Sequence, residues 1–424
     1  MTERQARGGV LVLGGGFAGA YVARLLGRGG ATIVSPENFM LFTPLLPEAA
    51  SGTLEPRHTV VPLRAMCPHA ELLLGTASAV DTRGRTATID TEAGTQTVRW
   101  EELVLALGAV PRTVPVPGLA EHGLSFKTLA EGIHLRNHVL RALEAADAEL
   151  DAAARRERLT FVFVGAGYAG VEALAELSDL ADDAIRFYPG LRTVPRRWVL
   201  VDAAPKILPE IPSRLGDYAA QELERRGIEI HVGTTLDSVS EREVVLGDGT
   251  HIPARTLVWT AGVRPHPLLR ELGVPLDERG HVEVDEFLRV PGVEHVWALG
   301  DCARVPNTRA EHPDPPTCQH ALRQARRLAR NLDGELEPYG YRMLGQVATL
   351  GRYKGIADVV GLRLRGFPGW FVTRSYHLYQ LPLLSRKLRV VVGWTVALLF
   401  RRDIAELSVL SGARSGLDRD AGAS

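Results

Sequence analysis

The fold is decided by the stretch Val10-Leu-Val-Leu-Gly-Gly-Gly-Phe-Ala-Gly19 and by its counterpart Phe161-Val-Phe-Val-Gly-Ala-Gly-Tyr-Ala-Gly170. Each contains G-x-G-x-x-G after an apolar run and opens a helical pattern, and the two motifs lie 151 residues apart. This order predicts strand, tight turn and helix, the phosphate-binding start of a dinucleotide-binding unit. The sequence therefore predicts an α/β fold with two Rossmann-like dinucleotide-binding domains.

The order of the predicted elements suggests that the second domain is inserted into the first. We predict a discontinuous FAD-binding domain over 1–122 and 265–335, an NAD-binding domain over 123–264, and a C-terminal membrane-anchoring or dimerisation region over 336–424. The length of 424 residues agrees with two or three domains.

Composition excludes several classes of protein. The net charge of −1 gives no general attraction to nucleic acid, and we expect no nucleic-acid partner. Cys67, Cys302 and Cys318 form no C-x-x-C pair, and their odd number argues against a secreted disulfide framework, so we expect a reducing compartment. We also predict no metal site. The N-terminus leads directly into the first strand, and we predict no signal peptide.

The residue that ends the strand after each glycine motif distinguishes the two dinucleotide sites. Val199-Leu-Val-Asp202 ends in an acid that can accept hydrogen bonds from a ribose 2′-hydroxyl and repel a 2′-phosphate, which favours NADH over NADPH. The first unit has Ser35 at this position, and either Ser35 or Glu37 could bind the ribose. The structural alternative is that Asp202 is only a solvated acid at a strand end.

Three further segments carry a family resemblance. Val296-Trp-Ala-Leu-Gly-Asp301, Leu107-Gly108 and Thr260-Ala-Gly-Val-Arg-Pro265 resemble the second FAD motif and the connecting segments of the two-dinucleotide-binding-domain flavoproteins. The disulfide reductases of that superfamily carry a redox-active cysteine pair near the flavin. The early loop here, Phe39 to Glu48, has no cysteine, so we expect electrons to leave the flavin by another route.

That loop resembles the one in type II NADH:quinone oxidoreductases, which do not pump protons. Gly167-Tyr-Ala-Gly-Val-Glu172 and Pro315-Pro-Thr-Cys-Gln-His-Ala-Leu-Arg-Gln324 also resemble segments of that family. Two departures affect the expected quinone contacts: Cys318 stands where the family often has Ala, and His320 or Arg323 where it often has a second Gln.

The resemblance implies FAD as cofactor, NADH as donor, and menaquinone or ubiquinone as acceptor. It implies catalytic roles for Glu172, Gln319 and His320, with Glu172 and His320 as candidates for proton transfer. Each of the three residues could instead have only a structural role. Glu172 would then be an acid favoured at the start of a helix, Gln319 would form a hydrogen bond at a helix start, and His320 would be a buried structural histidine.

The resemblance also assigns cofactor-binding residues. The predicted FAD contacts are Gly14, Gly16, Phe17, Ala18, Gly19, Ser35, Glu37, Thr43, Pro44, Gly108, Gly300, Asp301, Cys318 and Gln319. The predicted NAD contacts are Gly165, Gly167, Tyr168, Ala169, Gly170, Glu172, Asp202 and Gly262.

The segment 361–402 is basic and aromatic, with eight Arg or Lys residues and no Asp or Glu. This pattern suits a helix lying in the interface of an anionic membrane, with Trp370 and Trp394 at the headgroups. We expect a peripheral, monotopic protein on the cytoplasmic side of the cell membrane. The alternative is a core-covering or homodimerisation element.

Two other functions fit the same cofactor motifs. A soluble NAD(P)H-dependent flavin reductase would pass electrons to a ferredoxin-like protein and would keep that acceptor after removal of 361–402. A redox-sensing protein would turn over slowly with every acceptor. The basic segment disfavours the soluble reductase.

Overall fold

A computed structural model describes residues 2–407, and the chain divides into two compact units. Among the described residues, unit 1 comprises 2–42, 60–112 and 263–343, and unit 2 comprises 43–59, 113–262 and 344–407. The C-terminal segment, predicted as a region of its own, belongs to unit 2 from Leu344 onward. Among the described residues, none of the helices has the length and hydropathy needed to cross a bilayer.

Helices of four residues or more are numbered here in chain order. They are α1 (Phe17–Leu25), α2 (Leu46–Ala50), α3 (Leu63–Met66), α4 (Leu119–His122), α5 (Leu129–Ala148), α6 (Ala152–Arg158), α7 (Tyr168–Ala184), α8 (Ser213–Arg225), α9 (Cys318–Leu332), α10 (Phe367–Gln380) and α11 (Leu384–Leu399).

The core of unit 1 is a parallel five-stranded sheet. Its strands, in spatial order, are Val296–Ala298, Glu102–Leu105, Val10–Leu13, Thr32–Ser35 and Glu71–Leu74. The strand Val10–Leu13 is buried along its whole length because helices cover both faces of such a sheet. Unit 1 also contains a four-stranded sheet of Thr2–Gln5, Gly94–Arg99, Thr86–Thr91 and Thr76–Asp81. Three strand pairs complete it: Ala109–Pro111 with Val263–Pro265, Phe39–Leu41 with Val60–Pro62, and Val282–Glu283 with Ala303–Arg304.

Unit 2 repeats the parallel arrangement. Its main sheet runs in the order Gly123–Ser125, Thr256–Trp259, Thr160–Val164, Arg197–Asp202 and Ile228–Val232. Two antiparallel sheets accompany it, one of Leu236–Val239, Glu243–Leu246 and His251–Pro253, the other of Gly345–Thr349, Gly355–Val359 and Leu362–Gly366. The two glycine-rich strand–turn–helix elements predicted from sequence are confirmed, one in each unit.

Candidate functional site

The two glycine-rich turns have nearly the same backbone conformation. The first glycine of each motif is left-handed, with φ of 116° at Gly14 and 113° at Gly165. A Cβ at Gly14 would lie 2.2 Å from the carbonyl oxygen of Ala106, which follows the neighbouring strand Glu102–Leu105. Both the positive φ and the close neighbour therefore require glycine at this position.

The other glycines of each motif serve packing and ligand access. A Cβ at Gly19 or Gly170 would lie 1.9 or 1.8 Å from the carbonyl oxygen that opens its own turn, so each helix can pack only without a side chain there. A Cβ at Gly16 or Gly167 would instead meet nothing within 4 Å. Each is the N-cap of its helix and supplies no side-chain cap, so open space faces free N–H groups. Both turns fit the pyrophosphate of a dinucleotide.

The strand end beside the second turn carries Asp202. One of its carboxylate oxygens accepts a hydrogen bond from the N–H of Ala166, and the other accepts one from Ala204 at 2.7 Å. Asp202 therefore tethers the glycine-rich turn itself. A carboxylate has about four acceptor sites, so it retains capacity for a ribose hydroxyl.

The strand end beside the first turn carries Ser35, which is buried. Its Oγ accepts a hydrogen bond from the N–H of Glu37 at 3.3 Å and lies where a side chain at Gly15 would go. The side chain of Glu37 is exposed. Either residue remains a candidate for the ribose of FAD.

The Gly300-Asp301 motif lies beside the first glycine-rich turn, as the resemblance implies. Gly300 has a φ of 72°, and a Cβ there would lie 3.0 Å from the Cβ of Ala18 and 3.8 Å from that of Ala321. Unit 1 thus gathers the start of α1, the start of α9 and this motif. The predicted FAD contacts Thr43 and Pro44 lie in unit 2, as do all the predicted NAD contacts.

The cysteines do not form a redox pair in the described chain, where all three are free thiols. Burial raises the pKa of Cys302 to about 11 and that of Cys67 and of Cys318 to about 12. A protonated thiol is a poor nucleophile, so thiol–disulfide exchange is disfavoured.

His320 lies on the first turn of α9 and is buried. Its Nδ1 is 2.6 Å from Oδ2 of Asp314 and 3.4 Å from the hydroxyl of Tyr339. The Asp314 carboxylate therefore orients the His320 ring and favours a proton on Nδ1. Gln319, its neighbour, is half-buried.

Asp314 was missed by sequence reasoning: it directly precedes the segment Pro315 to Gln324, but nothing in the sequence shows that its side chain pairs with His320. Its carboxylate accepts hydrogen bonds from Tyr339 at 2.7 Å, Asn307 at 2.7 Å and Gln324 at 2.9 Å. Burial opposes ionisation, but the hydrogen bonds from His320, Tyr339 and Asn307 hold the pKa of Asp314 below its ordinary value. Gln324 also accepts a hydrogen bond from the N–H of Gly300, so the network reaches the FAD motif.

Glu172 lies on the second turn of α7 and is buried. Its Oε1 accepts hydrogen bonds from the N–H of Thr349 at 2.8 Å and from the hydroxyl of Thr349 at 3.2 Å. Burial raises the pKa of Glu172 to about 8, and the charges of Glu176 and Glu48 add to the rise. Because Oε1 is taken by two donors, Oε2 is the atom left to hold the proton.

A second buried carboxylate, Glu48, follows the early loop on α2. Its Oε2 accepts hydrogen bonds from Arg374 at 3.1 Å and from the indole N–H of Trp394 at 2.5 Å. The Arg374 guanidinium also stacks on Trp370, 4.2 Å from the ring centroid. The prediction that both tryptophans lie at lipid headgroups is wrong for Trp370, which is buried; Trp394 is half-buried because it binds Glu48.

Similarity to known proteins extends over nearly the whole chain. Residues 8–325 match the family described as pyridine nucleotide-disulphide oxidoreductase. The internal alternative NAD(P)H-ubiquinone oxidoreductase A1 of Arabidopsis thaliana is 30% identical over 96% of this chain and 87% of its own length. The type II NADH:quinone oxidoreductase Ndh of Mycobacterium tuberculosis is 29% identical over 93% of this chain and 88% of its own.

The chain belongs to the type II NADH:quinone oxidoreductases of the pyridine nucleotide-disulphide oxidoreductase family. The family resemblance drawn from sequence is thereby confirmed. NDH2 from Plasmodium falciparum, solved in complex with NADH, has the same fold: its TM-score is 0.86 at 17% identity, over 93% of this chain and 99% of that one.

Proposed function

We propose that this type II NADH:quinone oxidoreductase oxidises NADH and reduces a membrane quinone through FAD, without pumping protons. The observation that carries the proposal is Glu172, a carboxyl that burial keeps protonated at neutral pH on the helix that starts at the NAD-binding turn. When bound, FAD accepts a hydride from NADH and delivers two electrons to the quinone.

The chain's own residues position the dinucleotides. The open turns at Gly16 and Gly167 bind the two pyrophosphates, and Asp202 and Ser35 or Glu37 bind the riboses. Hydride transfer depends mainly on placing two rings against each other, so these contacts contribute through orientation.

Quinone reduction also consumes two protons, and the chain must supply them. Glu172 holds one at Oε2 near neutral pH. His320, oriented by Asp314, is the second candidate. Gln319, at the start of the same helix, is proposed to contact the quinone or the flavin. The proposed catalytic residues are therefore Glu172, Gln319 and His320.

One anaerobic stopped-flow series tests the proposal. NADH should bleach the flavin absorbance of the purified, lipid-supplemented holoenzyme, and a short-chain quinone analogue should restore it within the same cycle. A reduced enzyme that a ferredoxin reoxidises and quinones do not would overturn the assignment in favour of a soluble reductase.

We further propose that the enzyme is monotopic on the cytoplasmic side of the cell membrane, binds anionic lipid, and forms a homodimer. The support is the surface of α10 and α11. Exposed apolar side chains concentrate there: Phe367, Phe371, Leu384, Leu388, Val392, Val396 and Leu399. Exposed basic residues adjoin them at Arg365 and Arg389. A large exposed apolar patch beside basic side chains suits the interface of an anionic membrane.

The double variant Arg365→Gln/Arg389→Gln should bind phosphatidylglycerol vesicles about 30-fold more weakly, since each basic residue near an anionic surface contributes about 1 kcal/mol. Vesicle co-sedimentation at low salt measures this. The matched control replaces Arg83 and Arg279, which are also exposed but lie in unit 1. Equal losses in the two double variants would contradict the proposed surface.

A further inference from the structure

The helix that carries Glu172 presents three further acids that the proposed function does not use. Together with Glu172 they form a row, Glu172, Glu176, Asp179 and Asp183, spaced four, three and four residues apart on α7. Residues at such spacing lie on one face of a helix, with neighbouring Cβ atoms about 5–6 Å apart. The proton-holding carboxyl is therefore the first member of an acidic row.

One arginine far along the chain contacts the rest of the row. The side chain of Arg402 is 5% exposed, and its Nη2 lies 2.8 Å from Oε2 of Glu176. Its guanidinium also lies 3.3 Å from Asp183 and 3.6 Å from Asp179, and its Nε donates to the hydroxyl of Thr53 at 3.0 Å. A guanidinium with this many partners in a buried site is fixed in one geometry.

The backbone on either side of Arg402 is also fixed. The Arg136 side chain on α5 donates to the carbonyl oxygens of Asp403 and Ala405, each at 2.6 Å. Asn137 exchanges two hydrogen bonds with the backbone of Leu407. These contacts hold residues 401–407, which follow α11. Among these residues Arg402 is the most deeply buried charged side chain.

Arg402 acts on the charge next to Glu172. Glu176 is 1% exposed and its Oε1 has no hydrogen-bond partner among the described residues. Burial alone would raise the pKa of Glu176, but the charges of Arg402 and Arg374 hold it below its ordinary value. The ionised Glu176 then contributes to the raised pKa of Glu172.

We propose that Arg402 is a positioning residue for proton transfer: by pairing with Glu176 it keeps that carboxylate ionised, so that Glu172, one turn away, is the group that holds and exchanges the proton. The proposal rests on the proposed function, in which the proton on Glu172 Oε2 goes to the reduced acceptor and is replaced from water. Arg402 itself touches neither NADH nor quinone in this scheme.

The charges around Glu172 and Glu176 determine the direction in which each substitution should change the proton affinity of Glu172. The other titratable or charged groups around this pair are Tyr168, Asp179 and Asp183 on α7, Glu48 on α2, Arg374 and His377 on α10, and Arg226 after α8. Removing the positive charge of Arg402 must raise the proton affinity of Glu176, and a protonated Glu176 no longer raises the proton affinity of Glu172. Replacing Glu176 by a neutral residue must lower the proton affinity of Glu172 in the same way.

The test is the pH profile of NADH:quinone turnover in four variants of the holoenzyme. Arg402→Gln and Glu176→Gln should both move the alkaline limb down, by about one pH unit, because both remove the negative charge beside Glu172. Arg402→Lys keeps the charge and should return the limb toward wild type. Arg401→Gln is the matched control, because the side chain of Arg401 is 57% exposed and its Nη1 lies 3.9 Å from Asp183.

A merely structural role would lower the rate at every pH and leave the limb in place. The proposal is overturned if the limb coincides in Arg402→Gln and Arg401→Gln, or if Arg402→Gln and Glu176→Gln move it in opposite directions. Should Arg402→Gln fail to fold, Glu176→Gln keeps the proposal falsifiable, because an unmoved limb in that variant would show that the charge of Glu176 does not act on Glu172.

A second readout separates this proposal from the proposed function. In wild type, stability to urea should fall as pH rises from about 4.5 to about 8, because over that range Glu172 keeps its proton in the folded state and loses it in the unfolded state. In Arg402→Gln this fall should be steeper, without NADH or quinone present, because Glu176 then also holds a proton in the folded state. An enzyme that reduces no quinone yet shows the steeper fall would contradict the function and keep the role of Arg402. An unchanged fall in a quinone-reducing enzyme would contradict only Arg402.

Discussion

Glu172→Gln should slow quinone reduction at pH 7 by 100-fold or more while flavin reduction by NADH stays within about threefold of wild type. The amide is nearly isosteric, and its oxygen can still accept both hydrogen bonds from Thr349. What it loses is the proton on Oε2, and a positioned acid typically contributes 10²–10⁴-fold. Stopped-flow measurement of the two half-reactions separates the two effects.

The control for this variant comes from the same helix. Asp182→Asn removes an acid of α7 that is 58% exposed and paired with Arg196 at the surface. It should leave both half-reactions unchanged. Equal slowing of both half-reactions in Glu172→Gln, or loss of FAD, would mean that Glu172 only supports the fold of unit 2.

The pH dependence of turnover follows from the same carboxyl. Burial raises the pKa of Glu172 to about 8, so the proton is present below that pH and is lost above it. Turnover limited by this donor should therefore fall as pH rises through about 8. The alkaline limb should disappear in Glu172→Gln, which has no proton to lose.

Local sequence was sufficient for the two dinucleotide-binding turns. An apolar strand, three spaced glycines and a helical pattern are adjacent in the chain, so no distant contact is needed to recognise them. The same holds for Asp202 at its strand end and for the placement of Gly300 beside α1 through a known motif. These features are predictable because each is specified within about ten residues.

The environment of the titratable side chains was not predictable in this way. Glu172 meets Thr349, Glu48 meets Arg374, and Glu176 meets Arg402, pairs separated by 177, 326 and 226 residues. No periodicity connects such positions, because the contacts arise only when the last segment folds against α2 and α7. The acidic spacing along α7 was visible in the sequence, but an isolated acidic row more often faces solvent.

The same reason explains the tryptophans. A basic and aromatic segment suggested headgroup anchors, and composition cannot tell which aromatic ring turns inward. Trp370 is buried because it stacks on the guanidinium of Arg374, and Trp394 binds the carboxylate of Glu48. The segment's exposed apolar surface is contributed instead by residues such as Phe371 and Leu388.

The other large effect is expected at the second glycine of each turn. Gly167→Ala should raise the KM for NADH 10- to 100-fold and leave FAD content unchanged, whereas Gly16→Ala should reduce FAD content of the purified enzyme. Both residues have negative φ and no protein atom within 4 Å of the added Cβ, so the fold itself tolerates alanine. The methyl group occupies the space through which the pyrophosphate approaches the helix N–H groups.

Flavin absorbance per protein and steady-state NADH titrations measure the two losses. Gly29→Ala is the matched control, since its Cβ also meets nothing within 4 Å but lies after α1, away from either turn. A 10- to 100-fold loss corresponds to about 1.4–2.8 kcal/mol of binding free energy. That is the size expected when the pyrophosphate is displaced from the helix N–H groups, and it is too small for unfolding of a domain. If both variants lost FAD and NADH alike, the assignment of one cofactor to each turn would fail, because each methyl group can obstruct only the ligand in its own unit.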